Sequence, residues 1–183
     1  MTKNKGFYLI NTLISISLIL LLSTFGYVCF RNYIERQEIN RAKIEIYELF
    51  TTYSTKAFND GKVLNVKLDY IKKEMVVYEY GVVPIDIVKL PKNLNYLTIF
   101  DRDVVQIFTG KITKNGNITP SFSIYIFDSK NIAQYRISLY GFEIIKYMKI
   151  NIYRNKGDKK ANYDNILRFH REWDTNNPKW EEE

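Results

Sequence analysis

From Phe7 through Phe30 the chain carries no Asp, Glu, Lys, Arg or His. At ~1.5 Å per helical residue this run measures ~36 Å, enough to cross a hydrocarbon core of ~30 Å with some tilt. A helix of a water-soluble protein rarely stays uncharged for so long, because one face normally meets water. The run is therefore expected to be a membrane helix. An ordinary secretory signal has an apolar stretch of ~7–15 residues with a small-residue cleavage site after it. Here the stretch is longer, no Ala-x-Ala site follows, and the glycine, Gly6, stands before it. Cys29 follows Gly26-Tyr27-Val28, and the bulky tyrosine and valine make a poor lipoprotein acceptor site.

The junction Lys3-Asn4-Lys5-Gly6-Phe7-Tyr8-Leu9-Ile10-Asn11 joins a basic leader, a glycine, an aromatic residue and an uncharged helix. In that combination it resembles the class III signal of type IV pilins and pseudopilins. The resemblance implies that a prepilin peptidase cuts between Gly6 and Phe7 and methylates the new amine of Phe7. It also implies that the apolar helix stays in the mature protein and packs with other pilin or pseudopilin subunits. One departure is Asn11, which stands where the family usually carries glutamate. In such filaments that glutamate is thought to meet the terminal amine of the subunit above. A neutral Asn11 avoids burying a charge but attracts an amine weakly, which suits either a low-copy subunit at or near a filament tip or a filament that simply tolerates the change.

Topology follows differently from charge and from the resemblance. Lys3 and Lys5 precede the run, whereas Arg31, Arg36, Arg41 and Lys43 follow it, which by charge alone favours a cytoplasmic C-terminal side. The resemblance implies the reverse: a single pass of the cytoplasmic membrane, with the leader inside and the domain outside, then passage into a pilus or pseudopilus.

The helix is expected to continue past the membrane. No proline or glycine occurs from Asn32 to Phe58, and Ile39, Ala42, Ile46, Leu49, Tyr53 and Ala57 recur at steps of three and four. That spacing makes one apolar stripe. Glu35, Arg36, Glu38, Arg41, Lys43, Glu45 and Glu48 mostly fall off the stripe, towards water. Gly26 is the one residue inside the helix able to loosen it, and Asn59-Asp60-Gly61 is a stop signal. The chain then divides into a leader at 1–6, a membrane half of the helix at 7–30 and an amphipathic half at 31–58. A β-rich domain follows at 62–154, and a charged tail at 155–183.

Within the β-rich part, short strands are expected at Val63–Leu68, Met75–Tyr80, Ile85–Leu90 and Leu97–Phe100, with Pro84 and Pro91 as punctuation. Val104–Thr113 then runs into Asn115-Gly116, the strongest short hairpin signal. Ser121–Phe127, Ala133–Tyr140 and Glu143–Arg154 follow, with Met148, Ile150 and Ile152 facing inward. Four consecutive antiparallel strands after a long helix predict an α+β fold, the helix stripe packed on an antiparallel sheet of about four or more strands. The order of elements from about Tyr96 to Tyr153 resembles minor pilins and minor pseudopilins, so the expected fold is pilin-like. The tail from Asn155, with one helical turn around Ile166–Phe169, reads as a poorly ordered end.

Hydrophobic residues are 46% of the 183, enough for a core, and the single cysteine excludes an internal disulfide. The only histidine, His170, lies in the tail, so a histidine triad or zinc site is not expected. Asp101-Arg102-Asp103 lacks the further ligands of a calcium loop and reads as a charged turn. No catalytic residue, metal or cofactor is expected. The net charge of +7 leaves anionic partners open. Lys146, Lys149, Arg154, Lys156, Lys159 and Lys160 crowd the last strand, with Tyr147 and Tyr153 among them, and form a candidate DNA-binding cluster. The other reading of these lysines is a sheet edge that they guard against unwanted pairing. Two functions remain open: a minor pilin or pseudopilin subunit of a pilus, type II secretion or DNA-uptake filament, and a tethered DNA-binding module.

Overall fold

The structure is a computed structural model, and it describes residues 4–142, 147–172 and 178–183, with side chains from Phe7 onward. The chain divides into two units, Met1–Gln37 and Glu38–Glu183. One helix, α1 (Asn4–Asp60), runs through the division, and Gly26 does not break it. It stops where Asn59-Asp60-Gly61 predicts. Gly61 takes the left-handed conformation (φ 63°), and the Lys62 N–H bonds back to the Ala57 carbonyl at 3.1 Å. This is a helix cap that favours glycine because any Cβ is strained there.

In the first unit the described side chains of the apolar run are exposed on every side. Two of its hydroxyls are nonetheless paired within the helix. The Thr12 hydroxyl donates to the Tyr8 carbonyl at 2.9 Å, and the Thr24 hydroxyl donates to the Leu20 carbonyl at 2.8 Å. A hydroxyl bonded to its own helix can enter hydrocarbon without an unpaired donor.

The second unit is an α+β domain, with the rest of α1 packed against antiparallel sheets. The stripe is buried as its period requires. Ile39, Ala42, Ile46, Leu49 and Ala57 lie in the core, joined by Phe50, and Tyr53 is half-buried against them. The expected polar face is only partly in water: Glu35, Glu38, Lys43 and Glu45 are half-buried, and Glu45 takes the Arg41 guanidinium at 2.7 Å.

One sheet contains β1 (Leu64–Asp69), β2 (Glu74–Tyr78), β3 (Pro84–Lys89), β6 (Ile107–Ile112) and β7 (Ile118–Thr119), in the order β3-β2-β1-β6-β7. The other contains β4 (Asn95–Phe100), β5 (Asp103–Val105), β8 (Phe122–Phe127), β9 (Ala133–Tyr140), β10 (Lys149–Asn155) and β11 (Trp180–Glu182), in the order β11-β10-β9-β8-β4-β5. The expected four-strand meander is therefore divided between two sheets. Val104–Thr113 is not one strand: it breaks at Gln106, whose carbonyl accepts the Tyr70 N–H at 3.1 Å. β6 makes the expected hairpin through Asn115-Gly116, but only as far as two-residue β7. Pro120 then offers no N–H for the ladder, and the chain crosses to the other sheet. Asn117 fastens this corner, its side-chain oxygen accepting the N–H of Phe142 at 3.2 Å and its amide donating to the Phe142 carbonyl.

β8 is buried along its whole length. Phe122, Ile124 and Ile126 face the α1 core, where Phe122 meets Phe50 edge-on at 5.8 Å. Tyr125 and Phe127 face a second cluster with Leu97, Ile99 and Ala133, covered by α2 (Tyr163–Glu172) through Ile166. The tail at 155–172 and 178–183 is thus not a poorly ordered end. Its few apolar residues cover the outer face of a sheet, and β11 pairs with β10.

Candidate functional site

The Gly6–Phe7 junction lies in the first turns of α1, where the leading N–H groups have no partner within the helix. Phe7 is 73% exposed, and Asn11 is also exposed on the same uncharged surface. The helix from Phe7 is long and apolar enough to cross a membrane, and no part of its most apolar window is buried inside the chain.

The basic cluster is less uniform than its sequence. Lys146 lies outside the described residues. Lys149 is exposed on the face of β10 opposite to Ile150 and Ile152, and alternation puts Arg154 on their side. Arg154 stands across the ladder from Glu181, and Lys156 pairs with Glu181 at 3.2 Å. Lys159 and Lys160 are exposed beside Asp158, which accepts the Lys160 N–H at 2.9 Å and the Lys179 N–H at 3.3 Å. These backbone bonds, that of Lys160 foremost, hold the Asp158 carboxyl below its ordinary pKa. Both tyrosines are engaged: Tyr147 packs on Phe58 at 4.9 Å, and the Arg136 guanidinium lies 5.3 Å over Tyr153. Nor do the lysines guard an open edge at Arg154, because β11 occupies it. Sequence reading missed β11, since Trp180 is its one apolar signal.

His170, expected in a polar tail, is half-buried on the outer face of β8, with its Nε2 2.8 Å from the Tyr125 hydroxyl. Burial, with help from the Arg136 charge, lowers its pKa to about 4, and burial raises Tyr125 to about 12. Both are neutral near pH 7, and the pair ties α2 to the sheet. Asp101 and Arg102 have left-handed φ values of 49° and 66° and form the tight turn between β4 and β5. Asp103 then pairs with Arg171 at 2.5 Å. Among the described residues, no group of three His, Cys, Asp or Glu side chains is placed to hold a metal ion.

No family model matches the chain, and no curated protein does. A solved structure does. It is the minor pseudopilin EpsH from the Type 2 Secretion System of Vibrio cholerae, at 13% identity and a TM-score of 0.45. The match covers 62% of this chain and 94% of that one.

Proposed function

We propose that this chain is a minor pilin or minor pseudopilin subunit, processed at Gly6–Phe7 and assembled into a filament that starts from the cytoplasmic membrane. The observation that carries this reading is the apolar run from Phe7 to Phe30, wholly exposed and opened by a Lys-Gly-Phe junction. Such a surface demands cover, and lipid or a bundle of similar helices supplies it. The partners of this reading are a prepilin peptidase, other subunits and the membrane.

Asn11 gives the reading its finer form. A carboxylate inside a bilayer costs about 2.5–3.5 kcal/mol on insertion scales, and pairing with an opposite charge offsets that cost. A neutral amide avoids the cost and forgoes the pairing. A subunit with no neighbour above has no amine to meet, so the reading places it at or near a filament tip. Gold labelling of intact filaments separates this from a shaft role, where label would spread along the whole length.

The mass of the mature N-terminus tests the main reading. A chain that begins at N-methyl-Phe7 supports it, and an intact Met1 reduces the protein to an ordinary anchor. The DNA-binding alternative has less support, because Glu181 faces the cluster that would carry it. A gel shift with the full chain at low salt, lost when Lys149, Lys159 and Lys160 become Ala, would restore it.

A further inference from the structure

The outer apolar cluster borders a concave surface beside the start of α2. There a cavity of about 350 Å3 opens between β4, the β8–β9 turn and the start of α2. Leu97 and Phe127, each 4% exposed, and half-buried Val104 contribute its apolar surface. Asn95, Gln106 and Asn131 line it with residues that end in carboxamides, and Tyr163 adds a phenol. Among the described residues, none that lines it is charged. Two of the carboxamides are preset. The Asn95 amide donates to the Asn131 side-chain oxygen at 2.9 Å, which leaves the Asn95 oxygen and the Asn131 amide for a ligand. Asn131 is itself fixed in a left-handed turn (φ 58°), its N–H bonded to the Asp128 carbonyl at 3.1 Å. A site built this way loses little freedom when a ligand enters.

The lining selects the chemistry. An ion would shed water without meeting an opposite charge, which is unfavourable. A purely apolar ligand would cover the Asn95 oxygen and the Asn131 amide without pairing them, also unfavourable. A neutral ligand that carries both hydroxyls and a C–H face satisfies the amides, the phenol and the apolar patch together. The volume is near the lower end of the ~300–1,000 Å3 usual for small-molecule sites, room for one ring. We infer that this cavity binds a neutral hexopyranose, either free or as one residue of a glycan. The inference is independent of how the N-terminal helix is used.

Saturation-transfer NMR on the full chain tests it, in a detergent without a sugar headgroup. The probes are the methyl glycosides of glucose, galactose, mannose and N-acetylglucosamine, with N-acetylneuraminic acid as the charged comparison. Transfer to the ring C–H protons of at least one neutral glycoside is expected. Affinity should fall about tenfold or more in Tyr163→Ala and in Asn95→Asp, and stay unchanged in Tyr80→Ala, an exposed site elsewhere. The Asn95→Asp variant keeps the side chain's shape, so it serves even if Tyr163→Ala disturbs α2. No transfer to any of the four neutral glycosides overturns the inference. So does transfer that both cavity variants leave intact, or a preference for the charged sugar.

Discussion

The two halves of α1 solve opposite problems with the same backbone. From Phe7 to Phe30 the side chains are uncharged and mostly apolar around the whole circumference, and all are exposed. From Ile39 to Ala57 the apolar residues other than exposed Ile44 and Tyr47 form one stripe, and that stripe is in the core. The first half therefore depends on a solvent or partner that the chain itself does not provide. The second half carries its own cover, and its charges can stay in water. A long hydrophobic helix thus says little about burial until its periodicity is read.

The largest expected effect falls on the first half. Gly6→Leu puts a bulky side chain beside the proposed scissile bond and should leave only uncut precursor, seen as the loss of the mobility shift on a gel. Normal processing would overturn the pilin-type signal. In the second half, Phe50→Ala removes a fully buried ring that packs on Phe122. Its cost should be about 3–5 kcal/mol, measured by urea unfolding of the full chain in detergent. A smaller loss would mean that the stripe contributes less than its burial suggests.

One charge inserted twice sharpens the contrast. Leu18→Arg should cost about 2.5–3.5 kcal/mol in membrane insertion and shift protein from the membrane to the soluble fraction. Thr52→Arg, on the exposed face of the second half, should change stability by no more than about 0.5 kcal/mol. Equal effects at the two sites would abolish the distinction. Gly116→Ala comes next. Its φ is 73°, and a Cβ there would come within 2.9 Å of the Ser54 backbone and side-chain oxygens. A loss of about 1–3 kcal/mol is expected, because both the left-handed backbone and the contact with α1 resist the methyl group.

The smallest effect is a pH dependence outside the helix. His170 has a folded pKa of about 4, below its ordinary 6.5. Below pH 6.5 the unfolded chain takes up a proton that the folded chain refuses until about pH 4. Stability should therefore fall as pH drops through that window and be unaffected by this group above it. His170→Phe should flatten that part of the profile in urea titrations at pH 7 and pH 4.5. An unchanged slope would mean that α2 docks without help from the histidine.

The helix was legible because steps of three and four name the buried face residue by residue. The strands were legible one at a time, and the inward set Met148, Ile150 and Ile152 packs against the core. Their sheets were not, because a period of two says which way a side chain points and nothing about which neighbour it meets. Asp103–Val105 and Ile107–Ile112 look continuous in sequence and belong to different sheets. The C-terminal segment was illegible for another reason: Ile166 and Trp180 are too sparse to make a pattern, and they acquire meaning only against the outer face of β8. The basic cluster failed as a simple patch because Glu181, far along the chain, is its neighbour in space.

The pairing of Lys43 with Glu183 at 2.6 Å sets a timetable. The two residues are 140 positions apart, and Glu183 also accepts the Tyr135 hydroxyl at 3.3 Å. At synthesis rates of ~5–20 residues per second, roughly 7–28 s separate their appearance on a ribosome. Through that interval Ile39, Ile46 and Phe50 have been made and the strands that cover them are still arriving. The stripe therefore stays without its full cover until the last strand has been made.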